Sequence, residues 1–225
     1  MSTLADLGPV AQLRAGVLPR RLVQLVVGLV LYGVSLAMML RSTLGLAPWD
    51  VLHSGLTGYV PLTIGQVVIV MSFVVLLLWI PLREKPGLGT VANALLVGLS
   101  ADATLAVLPE PSALWVQVVL LLAGVVLNGL ATAMYIGSQL GRGPRDGLMT
   151  GLARRTGWSL RLVRTGIEVT VVVIGWLIGG IVGLGTVVYA LAIGPIAQWA
   201  LPWFVVRLPG AVEPPTVDGD APPPA

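Results

Sequence analysis

Six runs of apolar residues alternate along the chain with short stretches that carry glycine, proline and charge. They fall near 22–41, 63–82, 90–108, 115–137, 160–179 and 185–205. About 20 apolar residues in a helix cross the hydrocarbon core of a bilayer, so each run has the length of a span. Two shorter segments, 48–58 and 144–155, open on Pro48 and Pro144 and lie between long runs. The pattern predicts an all-α polytopic membrane protein with six transmembrane helices. Arg20 and Arg21 precede the first run as they would in a signal peptide. That run is longer than a signal core and has a counterpart later in the chain, so it reads as a structural span.

The punctuation repeats at a constant offset of 96 residues. Gly45-Leu46-Ala47-Pro48-Trp49-Asp50 returns as Gly141-Arg142-Gly143-Pro144-Arg145-Asp146. Gly87-Leu88-Gly89-Thr90-Val91 returns unchanged as Gly183-Leu184-Gly185-Thr186-Val187. Gly28/Gly124, Gly33/Gly129 and Met38/Met134 match within the runs. Such self-similarity defines architecture before any local reading. Each copy holds three spans, an odd number, so the second copy enters from the opposite face. The expectation is two inverted three-helix repeats, an arrangement common among secondary transporters. The chain divides into a loose cytoplasmic N-terminus (1–19), repeat 1 (20–109), repeat 2 (110–206) and a Pro-rich tail (207–225) whose composition predicts disorder.

Charge fixes the orientation. Of 225 residues, 56% are hydrophobic and 10% charged, against about 25% charged in soluble domains. Lys and Arg gather on the cytoplasmic side of membrane proteins. Both termini are therefore placed inside, with Arg20 and Arg21 as inner charges before the first span; Arg142, Arg145, Arg154 and Arg155 then lie in an inner loop. Their partners at the 96-residue offset are Leu46, Trp49, Gly58 and Tyr59, which are uncharged. Trp79, Trp158, Trp199 and Trp203 fall near inner ends and Trp115 near an outer end, where indole rings prefer to sit. The net charge of +3 reflects these membrane-end arginines, and no nucleic-acid partner is expected. With no cysteine and one histidine, the chain has no disulfide framework and no Cys/His zinc site; no metal or cofactor is expected.

The paired motifs supply the candidate residues. Proline suits the first turn of a helix, and an aspartate two residues later complements the dipole there. Pro48 with Asp50 and Pro144 with Asp146 thus predict two capped short helices. In a functional reading these helices dip into the protein and gate a pathway. His53 reads as a solvated interfacial residue rather than a proton carrier. Gly87, Gly89 and Thr90, with Gly183, Gly185 and Thr186, read as tight turns in which threonine caps a following span. Their match to a dinucleotide fingerprint fails, because that fingerprint needs a preceding strand.

Ionisable groups inside spans are costly and face protein or water. Glu168 lies about 13 Å along the fifth span and Arg164 one turn before it. Asp102 lies about 18 Å along the third, with Gln198 as its repeat partner, and Asn128 matches Tyr32. Glu168, Arg164, Asp102, Asn128 and Gln198 are the candidate pathway residues. The small residues of Gly33-x-x-x-Ala37 and Gly129-x-x-x-Ala133 predict a close crossing of the first and fourth spans.

The Gly45–Leu56, Gly87–Gly98 and Gly141–Leu152 tracts, together with Arg161–Glu168, resemble the bacterial YczE membrane-protein family, grouped with YyaS and YitT. The resemblance covers about residues 20–205. It implies a multi-span protein of the bacterial cytoplasmic membrane and carries no catalytic residues with it. Two functions stand from the residues. One is a permease for a small-molecule substrate, with a path between the repeats. The other is a non-transporting accessory or scaffold protein whose basic inner loop binds a partner or anionic membrane lipid. No enzyme is expected, since no nucleophile stands beside a base and no phosphate-binding loop is present. The sequence sets no oligomeric state.

Overall fold

The structure, a computed structural model, describes residues 8–209. Residues 1–7 and 210–225, and with them the expected disorder of the tail, lie outside the described residues. Among the described residues the chain is helical throughout, with no strand. The helices are α1 (Pro9–Arg14), α2 (Leu18–Ser42), α3 (Pro48–Leu56), α4 (Ile64–Leu82) and α5 (Leu88–Val107). They continue as α6 (Leu114–Gly137), α7 (Pro144–Thr156), α8 (Leu160–Leu177) and α9 (Leu184–Phe204).

Five helices, α2, α4, α5, α6 and α9, are long and apolar enough to cross a membrane. α8 spans 18 residues but carries Arg161, Arg164 and Glu168, which sets it apart from those five. α3 and α7 hold 9 and 13 residues. At about 1.5 Å per residue they are too short for a hydrocarbon core about 30 Å thick. The protein is a polytopic all-α membrane protein.

Local chemistry sets the ends. Thr63 closes a capping box with Gln66 at the start of α4, and Ser159 accepts from the Leu162 amide at 3.3 Å at the start of α8. Such caps satisfy amides that a helix start leaves without partners. Gly157, at φ 74°, ends α7 in the left-handed region that glycine enters freely.

α2 and α6 cross at the centre, but not through the expected residues. Gly28 lies against Ala131 and Met134 of α6, and Gly124 lies against Ser35 and Met39 of α2. Gly33 instead faces Val97 and Ser100 of α5, and Gly129 faces Ile196 of α9. Five residues separate Gly28 from Gly33, about 140° around a helix. The two glycines of each helix therefore serve different neighbours.

The loops before the short helices are clamped reciprocally. The Gly89 amide, at the start of α5, donates to the Leu140 carbonyl at 2.7 Å. The Gly185 amide, at the start of α9, donates to the Leu44 carbonyl at 2.8 Å. Both residues of the second bond are the 96-residue counterparts of those in the first. Gly45 and Gly141 hold the same left-handed conformation, with φ of 129° and 130°.

Arg21 departs from its reading as a membrane-end charge. It is fully buried, and its guanidinium donates to the Ser138 and Gln139 carbonyls at 2.8 and 2.7 Å. There it satisfies acceptors that α6 leaves at its C-terminus. Trp79 departs as well. Its ring is buried, while Trp115, Trp158, Trp199 and Trp203 are exposed.

Candidate functional site

α3 and α7 are placed by the ends of their neighbours. The α3 backbone at Val51 and Leu52 packs against Gly175 of α8, and Gly55 meets Gly175 and Ile178. α7 lies against α4, where Gly147 abuts the Trp79 ring and the Trp79 indole donates to the Pro144 carbonyl at 2.9 Å. Further along α7, Arg154 pairs with Glu84 at 2.7 Å and Arg155 donates to the Pro81 carbonyl at 2.5 Å. The short helices thus run along the ends of α8 and α4. Residues of their first turns also face the interior of the protein.

Those two turns line one cavity of about 250 Å³. Ala47, Pro48 and Trp49 come from the α3 end, and Gly143, Arg145 and Asp146 from the α7 end. The rest of the wall includes Tyr32, Ser72, Asn93, Tyr135, Glu168 and Gln198, one residue from each remaining long helix. The volume is at the small end of ligand pockets, which run to about 300–1,000 Å³. Both helix N-termini add partial positive charge to this space.

The charged groups are arranged in connected sets. Arg145 reaches Asp50 at 3.4 Å and lies over the Trp49 ring, 5.3 Å from its centroid. A guanidinium in that position is attracted by the face of the ring. Asp50 also contacts His53 Nδ1 at 3.1 Å, and both side chains are buried. Burial by itself raises the pKa of Asp50, but Arg145 and the His53 hydrogen bond carry it below the ordinary carboxylate value. For His53 burial is the largest influence, and it lowers the imidazole below its ordinary value against the pull of Asp50. The Tyr135 hydroxyl donates to Asp146. Arg164 donates to Glu168 at 2.8 Å.

A neutral chain leads back from the wall, starting at Tyr189, which lines the cavity. Tyr189 donates to Asn128 Oδ1 at 3.0 Å, and the Asn128 amide donates to Ser35 Oγ at 2.7 Å. With acids, guanidinia, hydroxyls and amides on its wall, the cavity offers donors and acceptors to a small polar ligand. No group of three or more His, Cys, Asp or Glu that could hold a metal occurs among the described residues.

Of the sequence candidates, Glu168, Arg164, Gln198, Pro48 and Asp146 line the cavity, with Asp50 and Asn128 one contact behind it. Pro144 lies at the α7 start, bonded to Trp79. Asp102 lies elsewhere. Its carboxylate accepts from the Thr63 hydroxyl at 2.5 Å and the Gly65 amide at 2.9 Å, so it serves the exposed first turn of α4.

Asp50 and Asp146 do not cap their own helices, because their carboxylates turn away to Arg145 with His53 and to Tyr135. His53 is not solvated; only 1% of it is exposed. Thr90 and Thr186 are not N-caps. Gly87 and Gly183 hold that position, and their amides donate to the threonine hydroxyls at 3.1 and 3.4 Å. The same hydroxyls secure the clamped loops. Thr90 donates to the Arg142 carbonyl at 2.7 Å, and Thr186 accepts from the Leu46 amide at 3.2 Å. Gly89 and Gly185 supply the clamping amides.

Arg145 is the central residue that sequence reasoning missed. It sits inside the repeated Gly-x-x-Pro-x-Asp motif, opposite Trp49 in the other copy, and that motif position was the available signal.

Residues 19–202 match the model of a family of unknown function, DUF6198. The chain belongs to that family. An uncharacterized protein of Haemophilus influenzae is 38% identical over 185 residues, 82% of this chain and 84% of that protein. The uncharacterized membrane protein YczE of Bacillus subtilis is 34% identical over 194 residues, covering 86% and 90% of the two chains. YyaS of the same organism is 28% identical over 167 residues, covering 71% and 82%. These relatives bear out membership of the YczE and YyaS group and a membrane location for the family. No solved structure matches the chain.

Proposed function

We propose that this protein is a small-molecule permease of the bacterial cytoplasmic membrane. Its six spans form two inverted three-helix repeats with both termini inside, and its substrate site is the central cavity. The observation that carries the reading is the meeting of α3 and α7. Two short helices from matched positions turn their N-termini into one polar space. Short helices ending at the middle of a repeat interface are a recurrent way to build a transport site. The reciprocal Gly89–Leu140 and Gly185–Leu44 bonds support the repeat. α8 is the sixth span in this reading, with its charges turned to the cavity rather than to lipid.

The scaffold alternative needs a basic inner loop free to dock. Four arginines of that region make bonds within the chain: Arg142 to Thr150, Arg145 to Asp50, Arg154 to Glu84 and Arg155 to Pro81. That engagement favours the permease.

The absence of cysteine makes the test direct. Ala197 lines the cavity, whereas Ala131 is buried away from it. Single cysteines at each position are exposed to small charged thiol reagents in inside-out vesicles. Reaction at 197 with protection at 131 is expected. Equal resistance at both, in a folded and inserted protein, rejects a water-filled path.

A further inference from the structure

The matched helix pairs α4–α5 and α8–α9 are not in the same state. In the first pair, a Cβ added at Gly65 would meet the Gly98 carbonyl oxygen, and one at Gly98 would meet that of Gly65. The helices touch through backbone. Asp102 then ties α5 to the first turn of α4 through the Thr63 hydroxyl and the Gly65 amide, at 2.5 and 2.9 Å.

The counterparts 96 residues on are Ser159, Arg161, Gly194 and Gln198. Here a Cβ at Gly194 meets nothing within 4 Å. Gln198 is exposed and has no hydrogen-bond partner among the described residues. α8 packs on α3 and α7 but does not lie along α9. The central cavity runs into the gap between them, where Arg164 and Glu168 face Ala197 and Gln198. Burial follows the same division. Val68 and Ser72 of α4 are buried, whereas their counterparts Arg164 and Glu168 keep 49% and 25% of their side chains exposed.

We infer that α4–α5 and α8–α9 are the two alternating gates of this cavity, with Asp102 as the latch of the closed outer gate and the inner gate open. The inference rests on the permease reading and its orientation. Thr63 and Asp102 then belong to outer ends, and Ser159 and Gln198 to inner ends. An inverted repeat gives each face the same interface, and exchange of the two arrangements moves access from one face to the other.

The residue differences set how the inner gate closes. Gly65 becomes Arg161, so a bare backbone crossing is replaced by a guanidinium able to donate to the Gln198 amide oxygen. Ser159 stands where Thr63 stands. The open gap accounts for the charges on α8, which are satisfied by water at a cytoplasmic mouth and would be costly against lipid.

A cysteine pair tests this in the full chain. Ser159→Cys with Gln198→Cys is expected to cross-link slowly on mild oxidation, and several-fold faster when Asp102→Asn weakens the outer latch. Where D102N fails to insert, Thr63→Ala removes one of the latch's two donors and gives the same comparison.

An inner pair that never closes in either background, while Gln198→Cys still reacts from the cytoplasmic side, overturns the gates and leaves the permease reading standing. Cross-links at Ser159→Cys that join two chains place a second copy over the gap and also overturn the gates. Failure of the permease reading looks different, because a cysteine at Ala197 then resists charged reagents altogether.

Discussion

The guanidinium of Arg145 lies 3.4 Å from the carboxylate of Asp50, tying the first turn of α7 to the first turn of α3 across the cavity. The two residues are 95 positions apart in the chain. Asp50 is 1% exposed at its side chain, and its Oδ2 atom has no hydrogen-bond partner. Arg145 and His53 are therefore what keep this carboxylate tolerable. Removing one partner of a buried pair leaves an uncompensated charge, at a cost of about 3–5 kcal/mol. Arg145→Met should destabilise the folded protein by that order. Adding Asp50→Asn should recover part of the loss, because the stranded charge is gone. Thermal unfolding in detergent of both single variants and the double variant measures the coupling. Strictly additive losses would show that the two short helices are held independently.

Thr90 and Thr186 occupy matched positions but differ in load. Thr90 is fully buried, accepts from the Gly87 amide and donates to the Arg142 carbonyl. Thr186 accepts from the Gly183 and Leu46 amides at the longer distances of 3.4 and 3.2 Å. A net hydrogen bond is worth about 0.5–1.5 kcal/mol, and a stranded buried group costs about 1–3 kcal/mol. Thr90→Val should cost more than Thr186→Val, and Thr90→Ser should restore most of the loss. Unfolding midpoints of the three variants decide it; an equal cost at both positions would place the clamp's strength in the backbone bonds.

Two glycines separate a packing requirement from a helix preference. A Cβ at Gly147 would enter the six-membered ring of Trp79, whereas one at Gly166 meets nothing within 4 Å. Overpacking a tight contact costs about 1–3 kcal/mol, so Gly147→Ala should destabilise and displace Trp79. Gly166 lies inside α8, where replacing glycine by alanine gains about 0.5–1 kcal/mol. Gly166→Ala should be neutral or stabilising. Tryptophan emission and thermal unfolding together read both changes, and an unshifted G147A would mean that α7 stands off from α4.

Apolar runs reported helix positions well because span length is a property of the membrane, not of the packing. The run at 63–82 is α4 at Ile64–Leu82, and the segment at 144–155 is α7 at Pro144–Thr156. Side-chain destinations were less legible, since they depend on which end of a short helix faces inward. Arg145 and Arg21 each sit among other arginines and read as topogenic charges, yet both are turned into the protein. Asp102 carried the opposite error. Depth along the span suggested a pathway residue, but its partners Thr63 and Gly65 lie 39 and 37 positions away, on a helix whose crossing no local pattern discloses. Glu168 and Arg164 were found because an acid one turn from a base stands out in an apolar run.

Glu168 and Arg164 should behave unlike Asp50 and Arg145 despite similar chemistry. The Arg164–Glu168 contact is an i,i+4 pair at 2.8 Å with 49% and 25% of the side chains exposed. Pairs of this kind on helices contribute about 0.3–0.5 kcal/mol, because solvent screens them and both side chains lose freedom. Neutralising Glu168 strands nothing, since the long Arg164 side chain can turn its head to the accessible gap. Glu168→Gln should therefore shift stability by less than about 1 kcal/mol. The same variant removes one of the carboxylates on the cavity wall, so it should change the reactivity of a cysteine at Ala197 toward charged reagents. Anionic reagents should gain and cationic ones lose. A large stability loss with no such reversal would make the pair part of the helix framework and remove Glu168 from the path.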